Sequence, residues 1–480
     1  MTTVEKISPE IDFTHKVGNH SSPLFLKINP INNVQSFNAS LTSVYGPVEL
    51  LIPSKVLSLK KSKLSWDVAV PAQAANQFAW VQANALCQLD RIVITSQNTN
   101  NILLDLPNLN RYASMFSPVC TTLTELRNKA SPGYSTTLTA VPPMSAGGNA
   151  AAGQAIPYED ISRNFQSTNV DGNNVDYGCP GDGIRKLLVS SAAATANYIS
   201  FEFDLGSLQG TICDIDQLLY FSGEQLLISL YFSPINRWGW GAQSATDPTG
   251  TAVLAPTGTW TYSNLNMYLY TEQNLSVSTG IVEKVMRGGG ISIPFPYPFI
   301  QRQAVASGSI SITQQLTRGF GSKLLLVGVS IFNPTEINAT AQDHSLAVLQ
   351  QAAGGSYSLL AYNTLLDNIP ILTNSNITAI NTSATQQNGE YFTYNKAHLK
   401  DSAIISINAY NNDFVHLDNF CSDPVAHIDW SCVDGLDLDA MHQYSFVTYA
   451  TAGANVTNNV YLAFICQKTL NLLPTGVQVS

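Results

Sequence analysis

Apolar and polar residues alternate with a period of two through much of this chain, the mark of strands that bury one face. From Leu218 to Trp240 (LLYFSGEQLLISLYFSPINRWGW) two apolar β runs flank a Ser-Gly-Glu-Gln turn, and Leu226, Ile228, Leu230 and Phe232 fall at every other position. Pro234, Asn236 and Arg237 then break the pattern, and residues 241–258 are small and polar. This reads as the closing strand of one β domain and a hinge to a second. Upstream, Leu64, Trp66, Val68 and Val70 alternate in KSKLSWDVAVP, DRIVITSQNTNNILLDLP reads as a hairpin, and Ile199, Phe201, Phe203 and Leu205 alternate in YISFEFDLGS. Residues 106–129 turn helical, with Leu109, Tyr112, Ala113 and Phe116 at helical spacing.

The second half repeats this organisation. LNMYLYTEQ, SGSISITQQL, SKLLLVGVSIFNP, DSAIISINAY, HQYSFVTYAT and NNVYLAFICQ read as strands, and DHSLAVLQQAAGG as a short helix from Asp343 to Gly354. ILLDLPNL in the first half has a weak echo in TLLDNIPIL in the second. The expected division is an extended N-terminal arm over 1–38, one β domain over 39–240, a linker over 241–260 and a second β domain over 261–480. Halves of this size with long insertions suit sandwiches or jelly rolls.

Composition narrows the function. Of the 480 residues, charged side chains make up 12%, about half the usual share for a soluble domain. Asn, Thr, Ser, Gln and Ala take their place, and such a surface loses little side-chain entropy when another subunit covers it. A β-rich extracellular or phage-type protein with neutral loops has the same composition. The net charge is −10, and Lys60, Lys61 and Lys63 form the densest basic cluster. That argues against direct, sequence-specific nucleic-acid binding. The seven cysteines are scattered singly with no CxxC, as expected of reduced thiols packed as small hydrophobes. The N-terminus has no basic-then-apolar leader pattern, so a soluble chain without a signal peptide is expected. Six Asn-x-Ser/Thr triplets, at Asn38, Asn274, Asn338, Asn376, Asn381 and Asn455, are what an Asn- and Thr-rich chain produces by chance.

No stretch carries catalytic chemistry. His427, Asp429, Asp434, Asp437, Asp439 and His442 lie in one acidic run, where carboxylates could hold a hard cation or histidines zinc. The run lacks the residue order of a calcium loop, and a turn followed by an edge strand with solvated acids is the plainer reading. Arg287-Gly288-Gly289-Gly290 has no following Lys-Ser/Thr and reads as a turn, not a phosphate loop. There is no GxSxG, and no cysteine sits where a thiolate nucleophile would form. Trp238, Trp240 and Trp260 bracket the linker; packing of a domain junction is preferred to a sugar-stacking platform. The expectation is therefore no catalytic, cofactor-binding or metal-binding residue, no cofactor, and no enzyme.

Four segments then carry a resemblance: LDRIVITSQNTNNILLDLPNLNRYASMF, YISFEFDLGSLQGTICDIDQLLYFSGEQLLISLYFSPINRW, LYTEQNLSVSTGIVEKVMRGGGISIPFPYP and VDGLDLDAMHQYSFVTYAT. In pattern and position over about residues 40–470, the chain resembles the double jelly-roll major capsid proteins of double-stranded DNA viruses, of the virophage and polinton-like type. The resemblance implies an all-β chain of two consecutive eight-stranded antiparallel jelly rolls. It also implies a homotrimeric capsomer with a pseudo-hexagonal outline, tiling an icosahedral shell with neighbouring capsomers, penton proteins and minor capsid proteins. The arm would lie on the inner face, beside an internal membrane where the virion has one. Insertions around 131–189 and 333–395 would form outer towers. The implied location is the virion, after synthesis in the host cytoplasm or nucleus. A two-domain carbohydrate-binding or carbohydrate-active protein, of lectin or tail-fibre type, is the alternative; a spike or penton-type protein with a single shell-forming jelly roll is a third reading.

Overall fold

The computed structural model describes residues 22–32, 34–71, 78–82, 85–120, 186–190, 197–242, 253–254, 258–305, 310–332, 359–371, 377–378, 416–421, 435–450 and 458–480. In chain order the first half carries β1 (Pro23–Ile28), β2 (Phe37–Ala39), β3 (Tyr45–Ile52), β4 (Leu57–Val70), β5 (Phe78–Gln82), β6 (Leu89–Ser96) and β7 (Ile102–Pro107). Helix α1 (Leu109–Cys120) follows, then β8 (Lys186–Ser190), β9 (Asn197–Asp204), β10 (Leu226–Phe232), β11 (Gly239–Ala242), β12 (Val253–Leu254) and β13 (Trp260–Glu272). Helix α2 (Leu275–Arg287) leads to β14 (Ile291–Val305), β15 (Ile310–Leu316), β16 (Lys323–Phe332), β17 (Leu359–Leu366), β18 (Ile369–Pro370) and β19 (Ile377–Thr378). The chain ends with β20 (His416–Asn419), β21 (Leu436–Asp437), β22 (His442–Ala450), β23 (Asn458–Leu473) and β24 (Gly476–Val479).

The strand pairing identifies the architecture. One antiparallel sheet of the first half runs β1-β13-β4-β9, with β2 also on β13, and a second runs β3-β10-β6-β7. With β1 and β2 counted as the first strand of the sandwich and β13 as the eighth, these orders are 1-8-3-6 and 2-7-4-5. The second half repeats them, with β14-β23-β16-β20 in one sheet and β15-β22-β17-β18 in the other. That interleaving of early and late strands is the double Greek key of a jelly roll.

The pairing moves the bounds expected from the sequence. Strand β13 pairs with β4 and β1, so Trp260–Glu272 completes the first roll and does not open the second. Residues 241–259 lie in the connection between its seventh and eighth strands, and Trp260 opens the eighth. Segment Leu218–Phe221 is no strand of its own; Leu219 makes a single bridge to Leu57. Strand β10 is thus the penultimate strand of its roll. Of the expected arm, Pro23–Ile28 is an edge strand, and residues before 22 lie outside the described set.

The true link is α2, which the sequence reading passed over. Asn274 caps it, its side chain accepting from the Ser276 and Val277 amides at 3.0 and 3.4 Å. Lys284 and Arg287 lie in its last turn, where the helix dipole favours cations. Gly289 and Gly290 then take φ of 81° and 104°, so the triple glycine is the turn expected of it.

The first roll closes on aromatic packing. Trp66, Phe203, Phe232, Tyr262 and Phe37 are all buried, and ring centroids of Phe37–Tyr262, Phe232–Tyr262 and Trp66–Phe203 lie 4.8, 4.7 and 5.4 Å apart. Trp66 also donates from its indole nitrogen to Gln88 Oε1 at 2.9 Å. In the second roll, consecutive residues Leu324–Leu326, Val327, Val329 and Val460–Cys466 are buried, so the β16–β23 pair is covered on both faces. Tyr444 of the opposite sheet meets Phe464, with centroids 5.7 Å apart. Helix α1 of the first roll brings Phe116 and Met115 to Gly328, where a β-carbon would lie 2.8 Å from the Phe116 ring. Double coverage explains why LLLVGV and VYLAFIC are continuous apolar runs.

Candidate assembly surfaces

The two ends of each roll differ. Connections 3-to-4, 5-to-6 and 7-to-8 share one end of a jelly roll, and in the first roll they are 71–88, 108–196 and 233–259. All three donate strands to one further sheet, β12-β11-β5-β8, so this end carries a small β platform of its own. The opposite end has two short connections, 53–56 and 97–101, and a longer one, 205–225. In the second roll 333–358, 371–415 and 451–457 share one end, and 317–322, the two-residue turn Asp367-Asn368 and 420–441 the other. Both turn residues have positive φ, 53° and 65°, as a tight hairpin requires. This hairpin, Leu359–Pro370, lies inside the stretch expected to be an insertion (333–395), which therefore contains the fourth and fifth strands. Apart from Ile371 and β19, the rest of that stretch, with the expected helix near Asp343, and most of 131–189 lie outside the described residues.

Exposed large apolar side chains are spread over the molecule, Ile31, Leu41 and Val44 among them, and five gather at the end with the tightest turns. Ile102, Leu275, Met286, Ile369 and Met441 stand there, with Leu275 78% and Ile369 68% exposed. Leu24 and Phe25 add two more on the edge strand β1. Apolar groups left in water on an otherwise neutral surface are what a subunit contact would cover.

The two rolls are joined by a built interface. The Asn101 amide donates to the Val477 carbonyl at 2.7 Å, and the Ser222 hydroxyl to the Pro474 carbonyl at 2.8 Å. Glu224, nearly fully buried, accepts from Thr99 Oγ1 at 3.2 Å and from the Val477 amide at 3.3 Å. The Asp105 amide donates to Tyr297 Oη at 3.3 Å, and burial raises that phenol above its ordinary pKa.

The residues weighed for chemistry fall apart. Asp437 faces Lys323 at 3.6 Å, Asp439 faces Arg318 at 3.6 Å, and His442 Nδ1 meets Asp367 Oδ2 at 2.7 Å. His442, first among the causes, holds Asp367 below the ordinary carboxylate range. His427, Asp429 and Asp434 lie outside the described residues, and no cluster of three metal-ligating side chains exists among the described ones. Trp238 and Trp260 are fully buried, packed edge to face at 5.4 Å. They belong to the core of the first roll, neither a domain junction nor a sugar platform; the Trp240 side chain lies outside the described residues. Burial raises the thiols of Cys213 and Cys466 to about 12, as fits packed, unreactive sulfhydryls.

Two clusters had no signal in the sequence. In the second roll, Asp418 on β20 takes His416 Nε2 at 3.1 Å and the Tyr444 hydroxyl at 2.7 Å, all three buried. In the first, burial lifts the Asp214 carboxyl to about 6, although Lys60 Nζ at 3.3 Å pulls it back. Its folded pKa thus exceeds the ordinary 3.8, so between those values the folded state holds more protons than the unfolded one. This contribution to stability is complete below pH 3.8 and is lost as pH rises toward about 6. Asp214→Asn is expected to gain on the wild type between pH 4.5 and 7.5 in urea midpoints. A constant difference between the two proteins across that range would contradict the assignment.

No family model and no curated protein matches the sequence. Solved structures do. PBCV-1 VP54, as fitted into a reconstruction of the virophage Sputnik, superposes with a TM-score of 0.50 at 9% identity, over 96% of this chain and 97% of that one. The Sputnik virophage structure from cryo-electron microscopy gives 0.49 at 11%, over 100% and 93%. The mavirus major capsid protein gives 0.48 at 10%, over 100% and 96%. At such identities the likeness to VP54 concerns the fold, and it agrees with the strand orders read from the pairing: the chain is a double jelly-roll protein.

Proposed function

We propose that this chain is the major capsid protein of an icosahedral virus, with a structural role and no catalytic one. The observation that carries the reading is the tandem of two like jelly rolls joined through a built interface. Three such subunits around a threefold axis present six rolls, and hence a near-hexagonal outline from a trimer. The likeness to VP54, a structure fitted into a virophage particle, supports the same reading.

Assembly is the mechanism. Neutral Asn-, Thr- and Ser-rich flanks meet with little like-charge repulsion, and exposed side chains such as Leu24, Phe25 and Ile369 supply apolar area to bury. Penton proteins, minor capsid proteins and an internal membrane are proposed neighbours of the assembled shell. The carbohydrate alternative loses its aromatic platform with the burial of Trp238 and Trp260.

Light scattering on the purified protein is expected to give three times the 51.8 kDa chain mass, and electron microscopy a near-hexagonal particle. A clean monomer throughout the micromolar range would count against the proposal.

A further inference from the structure

We propose that the C-terminal hairpin is a clasp that fixes the angle between the two jelly rolls, and that the chain becomes competent to assemble only when the clasp is shut. Strand β24 pairs along one edge with β23, its own roll's last strand, at Leu470–Leu473. Its other contacts run to the first roll. The amide of Val477 goes to Glu224 and its carbonyl to Asn101, while the carbonyl of Pro474 goes to Ser222. Asn101 and Ser222 donate and Glu224 accepts, and the three come from two separate short turns of the first roll, 97–101 and 222–225. A single hairpin therefore spans both turns and cannot dock unless they hold a set spacing.

The seat is shaped for this segment. Gly476 has φ of 140°, and a β-carbon there would overlap Glu224 Oε1. Val477 is fully buried. Glu224 is held in place from behind, since Thr99, which donates to it, also bonds Ser96 Oγ at 2.9 Å. The Val477 amide adds a second donor to the Glu224 carboxyl beside Thr99, so the seat favours the closed form. The rolls are also linked by α2, a single helix with an exposed outer face, by the Asp105–Tyr297 hydrogen bond and by Phe116 and Met115 of α1 at Gly328. Opening the clasp leaves each sandwich with its own two sheets and core, but removes one of the ties that set their mutual angle. A near-hexagonal trimer needs that angle fixed, and in this respect the inference rests on the capsid reading.

Two variants test it: Gly476→Val, which blocks the seat, and the milder Asn101→Ala/Ser222→Ala pair, which leaves the hairpin itself unchanged. Both are expected to keep the wild-type far-ultraviolet circular dichroism. Small-angle scattering should show a larger maximum dimension. Tryptic cutting at Lys284 and Arg287 in α2 should run about tenfold faster, as for a local opening made one decade more frequent. The variants should also fail to form the wild-type oligomer. Unchanged scattering and cutting in both would overturn the proposal. So would loss of strand signal in both, because the hairpin would then belong to a common core. Scattering and proteolysis report on the clasp even if the wild type proves monomeric, so the failure of this inference is separable from failure of the capsid reading.

Discussion

Trp238→Ala is expected to destabilise the first jelly roll by about 3–5 kcal/mol, the usual cost of deleting a large aromatic ring from a core. The indole is fully buried, packs edge to face on Trp260 at 5.4 Å and lies 6.0 Å from Tyr262. Its ring nitrogen donates to the Ser233 carbonyl at 3.4 Å, so truncation also strands a buried acceptor. Trp260 and Tyr262 begin the eighth strand, and the residue just before that carbonyl ends the seventh. The ring thus fastens the connection between these strands to the core. Urea unfolding followed by tryptophan fluorescence measures the effect, and Trp238→Phe should recover part of it. A loss below about 1 kcal/mol, with a changed angle between intact rolls, would return the residue to the junction role its sequence position suggested.

His416→Ala is expected to cost the second roll about 2–5 kcal/mol, from the cavity left by a buried side chain and the hydrogen bond taken from Asp418. Asp418 would keep the Tyr444 hydroxyl and lose the imidazole in a fully dry setting. The pair sits on the sixth strand and Tyr444 on the seventh, in opposite sheets, so the cluster ties the sandwich across its core. Replacing both partners at once, as His416→Leu/Asp418→Leu, should restore stability relative to the single variant, because apolar side chains then replace both members of the hydrogen-bonded pair. Calorimetry on the three proteins decides the matter. A single variant with wild-type stability would mean that the His416–Asp418 hydrogen bond does not hold the sandwich together.

These two sites show where the sequence was legible. Alternation at Leu64, Trp66 and Val68, at Leu226 to Phe232 and at Leu265 to Leu269 marked strands, because each buries one face and shows the other to solvent or a polar layer. What alternation cannot encode is the partner. Met267 pairs with Leu64 across most of the first roll, and nothing local in either strand says so. The domain limit was therefore set one strand too early. Helix α2 was missed because β-branched Val277, Thr279, Ile281 and Val282 look like strand residues, whereas its cap at Asn274 and the burial of Val285 make it a helix. The hairpin at Leu359–Pro370 was hidden among neutral residues, its turn marked only by Asp367-Asn368. The His416–Asp418–Tyr444 cluster was unreadable for the same reason as the sheet order, since its members meet only across the sandwich. Capping, pairing and cross-core contacts are properties of three-dimensional closure.

The double coverage of β16 and β23 has a consequence for biosynthesis. Uninterrupted apolar strands such as LLLVGV and VYLAFIC are the kind of segment that aggregates when it waits unpaired. On a ribosome the first roll emerges before either of them, and with it α1, whose Phe116 meets Gly328 of β16. The cover is thus made before the surface it shields. Reversing the gene order of the two rolls would keep every contact of the folded molecule but expose those strands to the cytosol, and soluble yield would fall.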